Sequence, residues 1–275
     1  MPSPIILIPV YQGTPNRTES ASLRQCLEVL GRHPIVFATF PELDLTTYRT
    51  IVESFSIPFR IEYFDKSFFA SLEAYNRLCL LPDFYRRFAA DHDYMLVYQL
   101  DAWVFRDELD DWCAKGYDYV GAPWILGQPQ KASQLRFKAV GNGGFSLRKI
   151  SFCLRTLEAS GSIFTPAVLK ALIRDRACGA VARKFPIYRT QEHLLQAARN
   201  GKLYEDTVFS LQKYTSLQAA IPSPDEALAF SFERQPALLY EYNGGQLPFG
   251  CHAWQLPSHL AFWQSWISLH QVEAL

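Results

Sequence analysis

Tyr94-Met95-Leu96-Val97-Tyr98-Gln99-Leu100-Asp101 is the most clearly strand-like stretch of the chain. Tyr94 to Tyr98 is an unbroken apolar and aromatic run, too short for a helix and without the polar alternation of a strand that has one wet face. It reads as a strand buried on both faces, the kind found in parallel sheets covered by helices. The run leads directly into a carboxylate, Asp101, with a turn after it.

The upstream sequence repeats the pattern. Ile5 to Val10 is a short apolar run rich in β-branched residues, and it ends at Tyr11-Gln12-Gly13-Thr14-Pro15, a strand entering a loop. Leu23, Leu27 and Leu30 then share one helical face, with Gly31 as the stop. Ile35 to Phe40 is a second strand closed by Pro41, and Phe59 to Phe64 a further one. Ser71 to Ala90 is helical with a break near Pro82. Strand alternating with helix over the first hundred residues predicts an α/β fold with a mostly parallel, doubly wound sheet flanked by helices. Ligands of such sheets bind beyond the carboxyl ends of the strands, which is where Tyr11 and Asp101 fall.

Downstream the text is less regular. Tyr119 to Ala122 reads as a short strand, Gly127 to Lys138 as a polar loop. Gly141-Asn142-Gly143-Gly144 introduces Phe145-Ser146-Leu147. Helices are predicted at 150–159, 166–182 and 191–200, the last stopped by Gly201, followed by shorter elements to Gly250 and a final helix over 258–270. No repeat, low-complexity tract or linker divides the chain, so a single domain over 1–275 is expected, in two halves at about 1–125 and 126–275.

The composition is globular, with 49% hydrophobic and 20% charged residues. Lys plus Arg equals Asp plus Glu, 27 against 27, which argues against a broad nucleic-acid-binding surface. The aromatic share of 15% mostly fills core volume, and flat rings also suit sugar faces. The six cysteines form no C-x-x-C pair and no zinc spacing, so they read as reduced and mostly buried thiols. Met1 to Val10 lacks a basic leader and carries Pro4 and Pro9, a strand rather than a secretion signal. No stretch approaches the roughly 20 apolar residues of a membrane span. The expected location is the cytoplasm.

Four segments offer chemistry. Asp101, ending a buried strand, has the position to reach a divalent cation on a diphosphate, or else caps the next turn. The neighbouring Asp107, Glu108, Asp110 and Asp111 open a short helix, where negative charge opposes the dipole, and receive no catalytic role. Gly141-Asn142-Gly143-Gly144 allows positive φ and close backbone approach, or is only a tight turn. Its spacing is not that of the dinucleotide fingerprint. Glu205-Asp206 either starts a helix or supplies a general base for an acceptor hydroxyl. His252, in the loop Pro248-Phe249-Gly250-Cys251-His252-Ala253-Trp254, either is structural or completes a metal shell or contacts a phosphate.

In combination, Tyr75-Asn76-Arg77-Leu78, Gln99-Leu100-Asp101-Ala102-Trp103-Val104-Phe105, the run from Gly116 to Trp124, the run from Gly141 to Arg148, Glu205-Asp206 and the run from Leu247 to Trp254 resemble a largely bacterial family of GT-A-like glycosyltransferases long labelled as of unknown function. The resemblance extends from about residue 5 to residue 265. It implies a GT-A-like fold with a nucleotide-sugar half and a less regular C-terminal acceptor half. It also implies transfer of a sugar from a nucleotide-sugar donor to a hydroxyl of a glycan or lipid-linked acceptor. By that resemblance Tyr11, Gln99, Asp101, Gly143 and Gly144 face the donor, and Asp206 is the base of an inverting reaction, with Glu205 behind it. Asp101 and His252 would hold Mn²⁺ or Mg²⁺. One departure bears on the metal: the usual D-x-D motif has two acids, and Trp103 stands in the second place.

Two other readings share the fold: a non-catalytic nucleotide- or sugar-binding protein, and a nucleotidyltransferase, which would release pyrophosphate from a triphosphate. Near the C-terminus Leu260, Trp263, Trp266 and Ile267 form an apolar stripe. Without a strongly basic opposite face it is expected to dock on the body of the domain rather than rest peripherally on the inner face of a membrane.

Overall fold

The computed structural model describes residues 2–160 and 190–267. The helix predicted at 166–182 and Cys178 lie outside the described residues, and the final helix predicted over 258–270 ends earlier, at Trp263, with 264–266 in turns.

The fold is α/β, with a six-stranded sheet ordered β3-β2-β1-β4-β9-β6. Its strands are β1 (Pro4–Pro9), β2 (Ile35–Thr39), β3 (Phe59–Tyr63), β4 (Tyr94–Tyr98), β6 (Tyr119–Val120) and β9 (Phe145–Lys149). β1 to β4 are parallel, and β9 runs antiparallel between β4 and β6. Side chains alternate across this sheet as the pleat requires. Ile5, Leu7, Val36, Met95 and Val97 face one core, against α3 (Leu72–Cys79), α4 (Pro82–Arg86), α6 (Ile150–Glu158), α7 (Gln191–Arg199) and α8 (Glu205–Leu211). Ile6, Ile8, Phe37, Leu96 and Tyr98 face the other, against α1 (Arg17–Leu30), α2 (Thr46–Glu53) and α5 (Leu109–Ala114). Helices on both faces are why the Tyr94 run carries no polar alternation. Each Leu or Ile so buried contributes about 1.5–3 kcal/mol.

Local sequence sets the element ends near the sheet's carboxyl edge. The α1 helix starts at a capping box: Asn16 accepts from the Glu19 N–H, and the Glu19 carboxylate accepts from the Asn16 N–H at 2.8 Å. Its buried residues include Leu23, Leu27 and Leu30, the predicted face. Pro82 opens α4 at its first position, so the helical stretch from Ser71 is two helices, as the break near Pro82 predicts. The 205–206 pair does open a helix, α8, with both acids in its first turn.

Three further expectations are corrected. Tyr119 to Ala122 is two strands rather than one. β6 ends at Val120, and β7 (Ala122–Ile125) leaves for a separate hairpin with β8 (Phe137–Gly141). The chain divides at Gly121, where a Cβ would collide with the Gly141 carbonyl. The polar loop from Gly127 is shorter than expected, because β8 begins at Phe137. His252 is not in a loop. It ends β11 (Gly250–His252), the middle strand of a small sheet between β10 (Ser231–Phe232) and β5 (Ala102–Val104).

The remaining helices are short: α9 (Pro224–Ala227), α10 (Pro236–Tyr242) and α11 (Pro257–Trp263). No helix among the described residues is long and apolar enough to cross a membrane. Cys26, Cys79, Cys113, Cys153 and Cys251 are free and buried, and burial pushes the thiols of Cys79, Cys113 and Cys153 up to about 12.

Candidate active site

At the carboxyl edge of the large sheet, β1 delivers Tyr11 and β4 delivers Gln99 and Asp101 to one cavity of about 530 Å³. Tyr11 is well exposed there, and Gln12, Glu19 and Gln255 share the lining. β9 is antiparallel to β4 with Phe145 beside Tyr98, so the β8–β9 turn reaches the same edge. The Gln99 N–H donates to the Gly144 carbonyl at 2.8 Å. The antiparallel pairing of β5 with β11 sets His252 opposite Ala102, next to Asp101. The segments of Tyr11, Asp101, Gly144 and His252 thus converge through strand register alone.

The turn itself is organised by Asn142, a residue quoted in the motif but given no role from sequence. It takes the one left-handed conformation in the Gly141–Gly144 stretch, with φ of 101°. The glycines serve a different end: space. A Cβ on Gly143 would collide with Glu205 Oε1, and one on Gly144 with His252 Nε2. Asn142 Oδ1 accepts from the N–H groups of Gly144 (2.7 Å) and Phe145 (3.2 Å). Its backbone carbonyl accepts from the Tyr119 hydroxyl at 2.7 Å. Its backbone N–H donates to Asp206 Oδ2 at 3.1 Å, and its side-chain nitrogen lies 3.1 Å from His252 Nδ1. One residue therefore ties the α8 acid to the β11 histidine.

The two acids of α8 part ways. Glu205 is buried and pairs with the fully buried Arg148 at 2.9 Å. The same guanidinium donates to the Gly143 carbonyl (3.1 Å), the Tyr85 hydroxyl (3.0 Å) and Ser146 Oγ (3.1 Å). The Glu205 N–H is held by Asn76 Oδ1 at 2.5 Å, which gives the Tyr75-Asn76-Arg77-Leu78 motif a structural task. Asp206 keeps some exposure. Burial, with the Glu205 charge beside it, pushes its carboxyl up to about 7, against the hydrogen bonds from the Asn142 and Thr207 N–H groups. A carboxyl in that range suits a general base at neutral pH.

On the other side of Asn142, His252 Nε2 lies 3.0 Å from Asp101 Oδ1, off the line of a hydrogen bond and closed from solvent. Glu233 Oε1 lies 3.7 Å from Nδ1. Burial opposes a charged ring, but the Asp101 and Glu233 carboxylates outweigh it and push His252 up to about 10. Burial likewise opposes ionisation of Asp101, and His252 outweighs it, so that carboxyl sits below its ordinary range.

This donor set does not fit a divalent cation as arranged. Mg²⁺ and Mn²⁺ favour accessible oxygen ligands. Asp101 offers one carboxylate, and Trp103, in the place of a second acid, is a core ring edge-on to Trp254 at 5.3 Å. Among the described residues no group of three or more His, Cys, Asp or Glu side chains gathers to hold a metal ion.

A family model described as "Protein of unknown function (DUF5672)" matches residues 58–252, the span from β3 to the end of β11. The chain belongs to that family. It has no match among curated protein sequences. Its fold is similar to that of the galactosyltransferase LgtC, solved with donor and acceptor sugar analogs, at a TM-score of 0.55 and 11% identity over 98% of this chain and 96% of that one. It also matches mouse xyloside xylosyltransferase 1 in its apo form (TM-score 0.46, 7% identity, 91% and 96% of the two chains). A third match is the core-mannan synthase A of Aspergillus fumigatus in its Mn/GDP form (TM-score 0.46, 9% identity, 80% and 72%). The LgtC likeness establishes for this DUF5672 member a glycosyltransferase-like α/β fold.

Proposed function

We propose that this DUF5672 member is a glycosyltransferase that moves a sugar from a nucleotide-sugar donor to a hydroxyl of a glycan or lipid-linked acceptor, with inversion. One observation carries the reading. At the carboxyl edge of a doubly wound sheet, Asn142 links a carboxyl raised to about 7, Asp206, to the Asp101–His252 pair beside a cavity of about 530 Å³. Such an edge is where α/β sheets take their ligands.

In this reading the donor nucleotide occupies the cavity, against Tyr11, Gln99 and Asp101. The acceptor hydroxyl approaches the opposite face of the anomeric carbon. Asp206 takes its proton as the new oxygen–carbon bond forms. The bond from that carbon to the diphosphate breaks, and its electron pair leaves with the nucleoside diphosphate. Oxocarbenium character at the anomeric carbon accompanies the exchange, as in glycoside hydrolysis. Glu205, held by Arg148, supports the turn rather than the proton transfer. We place the protein in the cytoplasm, where sugar nucleotides are available.

The first test is thermal: UDP, GDP, CDP and dTDP are each added to purified protein and the melt is followed, since a ligand of the native state raises Tm by mass action. Stabilisation by one of them names the donor class, and the matching sugar nucleotides are then assayed for diphosphate release. Release from wild type that disappears in Asp206→Asn supports the reading. Nucleotide binding with no release from any donor favours the non-catalytic reading, for which the buried Trp103 already speaks.

A further inference from the structure

The place where a second acid and an open histidine would hold a cation is built differently here, and Asn142 shows how. An asparagine amide has an acceptor end and a donor end. Here the acceptor end is fixed, because Oδ1 faces two backbone N–H groups, those of Gly144 and Phe145. The NH₂ end must therefore face His252 Nδ1 at 3.1 Å, and in the neutral ring Nδ1 receives that hydrogen bond through its lone pair. A neutral imidazole that accepts at Nδ1 carries its proton on Nε2. A charged imidazole carries one on Nε2 as well. In both forms the nitrogen 3.0 Å from Asp101 is an N–H and has no lone pair to give a metal. The tautomer that would free Nε2 needs an acceptor at Nδ1, and Glu233, at 3.7 Å, lies beyond hydrogen-bond distance. Access points the same way. Nε2 is closed from solvent and sits against Gly144, so closely that a Cβ there would strike it.

We propose that the donor site binds its nucleotide without a divalent cation, that His252 keeps its proton on Nε2, facing Asp101, and that Asn142 is the positioning residue that keeps the proton there. The proposal rests on the nucleotide-sugar reading of the cavity. Asp101, which lines that cavity with about a third of its side chain exposed, is then free to accept hydrogen bonds from hydroxyls of the donor. The Nε2–H of the adjacent imidazole points its positive end at the Asp101 carboxylate, where a metal ion would otherwise sit.

The experiment is isothermal titration of the full chain with the nucleoside diphosphate chosen by thermal shift, once in EDTA and once in Mn²⁺. Wild type, His252→Ala, His252→Gln and Asn142→Asp are compared. Wild type is expected to bind in EDTA, with a Kd that Mn²⁺ changes by less than about twofold. His252→Ala strands the Asp101 charge and weakens binding at least about tenfold in either buffer. His252→Gln restores an N–H donor and stays within about threefold of wild type. Asn142→Asp keeps an acceptor for Gly144 and Phe145 and turns an acceptor toward Nδ1, which moves the neutral-ring proton there. In nitrogen-15 NMR the His252 Nε2 signal changes from the protonated to the unprotonated type in that variant, an effect that loss of turn structure alone would not produce. Binding by wild type that tightens tenfold or more in Mn²⁺, with the gain lost in His252→Ala, would overturn the inference and leave the nucleotide reading standing. Absence of binding by all four nucleotides in both buffers would bring down the nucleotide reading itself.

Discussion

Glu205 and Asp206 are adjacent and chemically alike, yet their surroundings differ sharply. Glu205 lies in a buried ion pair, and breaking such a pair by removing one partner costs about 3–5 kcal/mol. Glu205→Gln is therefore expected to lower the melting temperature and the denaturant midpoint by that order, before any question of catalysis. Asp206→Asn should leave the fold in place and cut turnover by about 10²–10⁴, the usual contribution of a general base. The pH behaviour follows from the carboxyl held at about 7 by burial and the Glu205 charge. A base works deprotonated, so kcat/KM should rise with pH through about 7 and level off above it. Stability runs the other way. The folded-state value lies above that of the unfolded chain, so between about pH 4 and pH 7 the unfolded state loses its proton first and gains relative to the native state. This contribution is full below the unfolded value and is lost as pH rises through the folded one. Melting curves of wild type and Asp206→Asn should accordingly diverge in favour of the variant between pH 4 and 7, and run parallel above.

At the scale of elements, the first half of the fold was legible because each strand and helix announces itself locally. Ile5 to Val10 and Tyr94 to Tyr98 are apolar on both faces, and Pro82 marks its own helix break. The mostly parallel, doubly wound sheet follows from that alternation. The second half was harder to read because its short strands are defined by partners remote in sequence. Nothing around Gly121 says that β6 and β7 join different sheets, and nothing around His252 says that β11 pairs with β5. The site residues were visible as types, but their juxtaposition was not. Asn142 had a signal, a side chain among glycines at a turn, whereas the buried Arg148 had none beyond its place in the motif. Of the two properties read into the glycines, φ freedom and close approach, only the second is used. None of Gly141, Gly143 and Gly144 takes a positive φ, and each has no room for a Cβ. Gly144→Ala tests that distinction. The added methyl would strike His252 Nε2 and approach Gln99 Oε1, so β4, β9 and β11 could not keep their present spacing at this edge. Overpacking of this kind costs about 1–3 kcal/mol. Nucleotide binding should fall more steeply than stability, because the displaced ring is the partner of Asp101. Calorimetric titration and denaturant unfolding of the same variant give the two numbers.

The whole molecule depends on its last described helix in a way the apolar stripe left open. Trp263 is fully buried, stacks on Phe105 at 5.4 Å and meets Phe262 edge-on at 4.8 Å. Ile267 is buried and Leu260 half-buried in the same cluster, which also holds Trp103, Trp254 and Cys251. That cluster lies directly behind the strands carrying Asp101 and His252, so the helix braces the back of the candidate site. Only Trp266 of the four stripe residues is well exposed, and even it leans on Tyr240 at 5.5 Å. Trp263→Ala removes a large ring from a packed interior, a change that costs about 3–5 kcal/mol. It should also weaken nucleotide binding, because β5 and β11 lose their support. Trp266→Ser should change stability by only about 0.5 kcal/mol, as exposed substitutions do. Vesicle flotation of the Trp266→Ser and wild-type chains separates packing from membrane attachment. Equal, negligible flotation of both means that the stripe serves the body of the protein. Flotation of wild type alone, on anionic vesicles, would mean that the exposed ring anchors the molecule where a lipid-linked acceptor is presented.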